Sequence, residues 1–148
     1  MTRDISMTSQ PSVPWTLHPT LARDAIRVGD LPLSQLLISN DANYPWLLLV
    51  PRRPDVCELI DLDISDQLQL TAEIRSVAGA LKDATGCDKL NIAALGNVVP
   101  QLHVHVIARR RSDAAWPRPV WGVVPPRPYG QPELDDFTAA IRQRIWRR

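Results

Sequence analysis

Apolar residues along this chain follow two different periods, and the switches between them mark out its elements. Leu33 to Ser39 and Trp46 to Arg52 are short runs rich in Leu, Ile and Val, separated by Asn40-Asp41-Ala42-Asn43-Tyr44-Pro45. Turn formers between two such runs predict a pair of strands joined as a hairpin. Trp46-Leu47-Leu48-Leu49-Val50 is continuously apolar, which predicts a strand buried on both faces. The period then changes. Leu70, Ile74, Val77 and Leu81 fall at offsets 0, 4, 7 and 11, predicting a long helix capped by Ser65 and stopped at Gly86. Lys89 to Leu95 reads as a strand, Gly96 to Pro100 as a loop, and Leu102 to Arg109 as another strand. Ala114 to Pro132 holds two tryptophans and six prolines, too many prolines for regular structure. Glu133 to Trp146 places Leu134, Phe137, Ile141 and Ile145 on one side of a closing helix. The stretch up to about Pro19, rich in Ser, Thr and Pro, is expected to wrap over the surface. Two strand pairs with a helix between them predict an α+β fold with an antiparallel sheet. The expectation is one domain over 1–148, its core at about 20–112, with 113–148 forming a proline- and tryptophan-rich extension and the C-terminal helix.

Within the last predicted strand, Gln101-Leu102-His103-Val104-His105-Val106-Ile107 alternates strictly. Successive side chains of a strand point to opposite faces, so Leu102, Val104 and Val106 share one face and Gln101, His103, His105 and Ile107 the other. Three nitrogen-bearing side chains thus line up, about 6.7 Å per two-residue step. If the apolar set packs on the core, the histidines face a cleft. The spacing suits an extended anion: one imidazole attacks a phosphorus while the next contacts its oxygens. With an unperturbed pKa of about 6.5, a neutral nucleophile and a cationic partner coexist near neutrality. Two other readings stay open. The histidines decorate a half-solvated strand, or the pair supplies two ligands of a metal. For a metal, no HxxxH, DxH or CxxC supplies an obvious third ligand.

Composition narrows the partners. The chain has 148 residues, of which 45% are hydrophobic and 22% charged, within the range of ordinary globular proteins. Seventeen basic and 16 acidic residues leave a net charge of +1, which argues against nucleic acid or an anionic membrane as the main ligand. Met1 to Gln10 has no apolar run, and no apolar stretch approaches the ~20 residues of a membrane helix. Cys57 and Cys87 lie far apart with no CxxC spacing, as expected of two reduced thiols in a cytoplasmic protein. P-loop, Rossmann and nucleophile-elbow patterns are missing. There are only three histidines, and two of them are His103 and His105. His18, alone between prolines, is expected at the surface, and Arg109-Arg110-Arg111 on a solvated face.

The segment Asn91 to Arg109 resembles the signature of the histidine triad (HIT) superfamily, His-φ-His-φ-His-φ-φ preceded by a glycine-containing loop. Leu102, Val104, Val106 and Ile107 fill every φ position. Trp46 to Pro54 is similar to the strand and proline-rich turn that precede the family's long helix. The resemblance implies a HIT-like α+β fold, a homodimer, and hydrolysis or transfer of a nucleoside monophosphate from a nucleotide conjugate; with no metal ligand set visible in the sequence, metal-independent chemistry with no cofactor is expected. His103 takes the position of the nucleophile on the α-phosphorus, and His105 the position of the donor to phosphate oxygens. Gly96, Asn97 and Val98 correspond to the phosphate loop, with Val98 where relatives carry Ser or Thr. Asn40, Asp41 and Asn91 correspond to the ribose and base contacts. The first histidine is Gln101, which hydrogen-bonds but cannot titrate. Gln101 and Val98 together set a second reading beside the enzyme, a non-catalytic nucleotide-binding module of the same fold. Trp116 and Trp121 are expected to fill a groove or a dimer contact, the alternative being stacking on a nucleobase.

Overall fold

The computed structural model describes residues 13–147. Its elements run α1 (Pro19–Asp24), β1 (Ala25–Asp30), β2 (Ser34–Ser39), β3 (Trp46–Pro51), a 3-10 turn at Leu59–Asp61, α2 (Ile64–Thr85), β4 (Lys89–Ala93), β5 (Val104–Arg109) and α3 (Gln131–Ile145). The strands form one sheet in the order β1-β2-β3-β5-β4, every pairing antiparallel. This is the α+β architecture expected, with one strand more than the two predicted pairs. The extra strand, β1, carries Arg27, Gly29 and Asp30, which break its alternation. A register shift between Arg27 and Gly29 breaks it further, leaving no clean period to read.

Both faces of the sheet are covered. On one, Leu36, Ile38, Leu47, Leu49, Val104 and Val106 pack with Leu70, Val77 and Leu81 of α2 and Ile141 of α3. On the other, Leu37, Trp46, Leu48, Val50 and Ile107 are roofed by Leu21, Val99, Ala115 and Val120, with Trp15 and Trp121 packed around them. All six residues of β3 are buried. The continuous apolar run is therefore the central strand, with no solvent face to make polar.

Helix α2 starts earlier than expected, capped by Asp63 rather than Ser65. The Asp63 carboxylate accepts the Asp66 N–H at 2.7 Å, and a carboxylate at the positive end of a helix is favoured by its dipole. The helix stops at Gly86, which takes the left-handed conformation at φ 60°, where a Cβ is disfavoured. Glu73 of α2 is buried and accepts the backbone N–H groups of Leu33 and Ser34 at 2.7 and 3.1 Å. It thereby ties the helix to the start of β2. Among the described residues, no helix is long and apolar enough to cross a membrane. Cys57 is exposed and Cys87 buried, and neither forms a disulfide.

Candidate active site

Strand β5 begins at Val104, so His103 sits at its mouth and His105 one full repeat inside. The alternation expected from the sequence holds: Val104 and Val106 face the helices, while His105 and Ile107 face the irregular roof. Both histidines are buried, each 7% exposed, and their ring centroids lie 4.9 Å apart. This pair is enclosed, not a decoration on a half-solvated strand.

Hydrogen bonds assign a tautomer to each ring. His103 Nδ1 lies 2.7 Å from the backbone carbonyl of Gln101. A carbonyl oxygen only accepts, so His103 carries a proton on Nδ1, and the neutral ring then has its lone pair on Nε2. His105 is the converse: its Nδ1 accepts the indole N–H of Trp46 at 3.0 Å. An indole only donates, so the His105 proton belongs on Nε2. The two imidazoles thus present opposite ends, a bare nitrogen on His103 and an N–H on His105.

The register explains why Trp46 reaches His105. Trp46 pairs with Ile107 and Leu48 with His105, so Trp46 sits on the histidine face one diagonal step away, within range of a long side chain. Trp121, from the proline-rich segment, meets His105 and Trp46 edge-on at centroid distances of 5.1 and 5.8 Å. Burial in this aromatic box, with a smaller contribution from neighbouring His103, pushes the His105 pKa down to about 3. His105 is held neutral, in contrast to the cationic partner expected from the sequence.

Gln101 occupies a different niche from its neighbours. Its Oε1 accepts the His18 N–H at 2.8 Å and its Nε2 donates to the Thr16 carbonyl at 2.9 Å. Both ends of the amide are therefore engaged by the N-terminal segment, and Gln101 meets His103 through its backbone carbonyl. His18 departs from its expected surface role. It is half-buried, and its Nδ1 caps α1 by accepting the Thr20 N–H.

Of the remaining expected site residues, Gly96 lines one cavity, Asn40 and Asp41 line another, and Asn91, Asn97 and Val98 line neither. Gly96, at φ 73°, shares a cavity of about 210 Å³ with His103, Leu95, Cys57 and Glu58. Asn97 and Val98 are exposed on the loop beyond it, Val98 at 88%. Asn40 and Asp41 line a larger cavity of about 530 Å³ with Trp46, Trp121, Ser39 and the Arg23–Asp24 pair. Both are also anchors: Asn40 Oδ1 accepts the Tyr129 N–H, and Asp41 Oδ1 accepts the N–H groups of Asn43 and Arg127. Asn91 lies in neither cavity, its Oδ1 taken by Arg109 at 2.7 Å.

Arg109 overturns the expectation of a solvated charge run. It is 1% exposed, makes a two-pronged pair with Asp113 at 2.8 and 3.1 Å, and donates to the Arg118 carbonyl. Its guanidinium lies over the rings of Tyr44 and Trp116. Burial alone would raise the Asp113 carboxyl. The Arg109 guanidinium and the N–H groups of Arg110, Trp116 and Ala115 outweigh that and hold it below the usual carboxylate range. Arg109 therefore pins the roof over the histidine face. Among the described residues, no three His, Cys, Asp or Glu side chains converge on a shared metal position.

Comparison with known proteins agrees with this fold. The HIT domain family profile matches residues 21–112. A histidine triad protein from Bradyrhizobium japonicum is 62% identical, with a TM-score of 0.90 over 90% of this chain and 100% of its own. One from Sinorhizobium meliloti is 49% identical, with a TM-score of 0.86 over 88% and 96%. One from Marinobacter aquaeolei is 38% identical, with a TM-score of 0.88 over 90% and 97%. Among curated proteins, no match is found.

Proposed function

Since the chain belongs to the HIT domain family, matched across residues 21–112, we propose that it is a nucleotidyl hydrolase or transferase acting on the α-phosphate of a nucleotide conjugate. The observation that carries this reading is the pair of opposed tautomers. His103 Nε2 attacks the α-phosphorus in line, forming a P–N bond as the bond to the leaving group breaks. Water then attacks the nucleotidyl-histidine, the P–N bond breaks, and nucleoside monophosphate leaves. His105 Nε2–H donates to a non-bridging oxygen as charge grows there, a role that a neutral, desolvated donor fills without reorganisation. Backbone N–H groups around Gly96, with the Asn97 amide, complete the phosphate contacts. The nucleoside takes the cavity of about 530 Å³, where Trp46 and Trp121 offer aromatic surface and Asn40 and Asp41 offer polar atoms. A dinucleoside polyphosphate and a nucleoside phosphoramidate both carry the required α-phosphorus.

A homodimer fits the exposed surface. β4 is an edge strand, and Ile92, Leu95 and Val98 are exposed along it and its following loop, with Leu59, Ile60, Ile64 and Leu68 also exposed. Unpaired strand edges flanked by apolar side chains are templates for pairing. The reaction needs neither metal nor cofactor, and cytoplasmic placement suits two unpaired thiols.

The engagement of the Gln101 amide by the N-terminal segment favours a second reading, a nucleotide-binding module without turnover. A fluorogenic nucleoside phosphoramidate and a diadenosine polyphosphate separate the two. Turnover that His103→Ala abolishes supports the enzyme. Micromolar nucleotide binding without turnover supports the module and refutes covalent chemistry.

A further inference from the structure

Among the described residues, Trp46 is the one side chain that hydrogen-bonds His105, and resting on the phosphate chemistry just proposed it acquires a role of its own. We propose that Trp46 is a positioning residue: its indole N–H confines His105 to the Nε2–H tautomer, keeping the donor end of that imidazole available to phosphate. An unrestrained neutral imidazole exchanges between two tautomers, one of which would put a lone pair where an oxygen anion must be received. At 3.0 Å the indole N–H excludes that tautomer, because two N–H groups would then face each other.

The indole is itself held in place. Trp46 is 8% exposed and starts the central strand, with Tyr44 and Trp121 against it edge-on at centroid distances of 6.4 and 5.8 Å. Its position along β3 is set by pairing with Ile107. Around His105, the residue just before β5 contributes His103, β4 contributes Ala93 opposite, and the roof contributes Trp121. Among the described residues, the one titratable neighbour that acts on His105 is His103, and no carboxylate hydrogen-bonds the ring in place of the indole. A tryptophan N–H buried simply for packing needs some acceptor. Here the acceptor is the imidazole whose proton position decides whether it can donate.

Nitrogen-15 NMR of the full chain, labelled at histidine and tryptophan, tests this without substrate. Only three histidines are present, so His18→Asn and His103→Asn variants assign the signals. His105 is expected to show a protonated Nε2, an unprotonated Nδ1, and a through-bond coupling from that Nδ1 to the Trp46 indole nitrogen. In Trp46→Phe, which keeps an aromatic plane, the His105 shifts move toward the average of both tautomers while His103 stays Nδ1–H. A protonated His105 Nδ1 in the unaltered protein, or absence of the coupling, overturns the proposal even if Trp46→Phe does not fold. So does a folded Trp46→Phe that keeps the pure Nε2–H tautomer. Where turnover is found, Trp46→Phe lowers kcat by about tenfold with KM little changed, short of the ~10²–10³ expected for losing an oxyanion donor outright. An unchanged kcat despite a lost tautomer preference also overturns the positioning role. Because the tautomer is read without substrate, its failure leaves the hydrolysis assays standing, and failed hydrolysis leaves the tautomer assignment intact.

Discussion

Burial of a neutral His105 carries a measurable cost in acid. The group has a pKa of about 3 in the folded chain and about 6.5 when unfolded. Because the folded value is depressed, the unfolded chain binds the extra proton throughout that window. Stability is therefore complete above pH 6.5 and is lost as pH falls toward 3. Between pH 7.5 and 5.0 the loss is about 2 kcal/mol, the slope approaching about 1.36 kcal/mol per pH unit below 6.5. That figure holds for any folded value below 5. The carboxylates held low by their partners, such as Asp24, Asp61 and Asp113, contribute losses only nearer their unfolded range at about 4. Urea unfolding at pH 7.5 and 5.0 measures the effect, with His105→Asn as the reference. Asn places an acceptor near the Trp46 indole but does not titrate. The unaltered protein should lose about 2 kcal/mol more than His105→Asn across that interval, the other titrating groups cancelling between the two. Equal losses in both proteins would refute the buried neutral imidazole.

Removing the guanidinium in Arg109→Met leaves Asp113 buried without its counter-charge, and urea unfolding should show a loss of about 3–5 kcal/mol. Gln101→Leu breaks two hydrogen bonds to the N-terminal segment, an expected loss of about 1–3 kcal/mol. Limited proteolysis should cut near Thr16 faster in that variant, while the His103 tautomer, set by a backbone carbonyl, is unchanged. Trp121→Ala removes a stacking surface worth about 1–3 kcal/mol. Steady-state kinetics should show KM raised by about 5- to 100-fold with kcat less affected. An unchanged KM would place the substrate base elsewhere.

The fold was legible wherever one element carried its own period. Leu70, Val77 and Leu81 form a single stripe, and they are buried on a single face of α2. The unbroken Trp46 to Val50 run became the central strand for the same reason, since a strand covered on both faces has no polar side to show. β1 was hidden because it is an edge strand whose Gly29 and charged Arg27 and Asp30 meet solvent and α3 rather than a core. The N-terminus of α2 shifted from Ser65 to Asp63, since both residues are capping types and the backbone geometry decides between them.

The site was legible in part, and the division has a physical cause. Alternation along the predicted strand from Leu102 to Arg109 puts His103 and His105 on one face, because that relation is internal to a strand. Arg109, two residues beyond Ile107 on the same face, looks solvated from the sequence because it opens a run of three arginines. Its burial follows from Asp113, Tyr44 and Trp116, three residues on two other segments. Trp46 was read as core, and it is core. Its second property, an N–H aimed at His105, depends on the diagonal register between β3 and β5, which neither strand encodes alone. Gln101 likewise resembled a weakened histidine. In the fold its amide joins the chain's N-terminal segment to the histidine strand, and its carbonyl, which any residue would supply, orders the His103 ring. The exchange of histidine for glutamine therefore leaves the His103 tautomer intact. The position where the sequence departs most from the family motif is one where the backbone, not the side chain, meets His103.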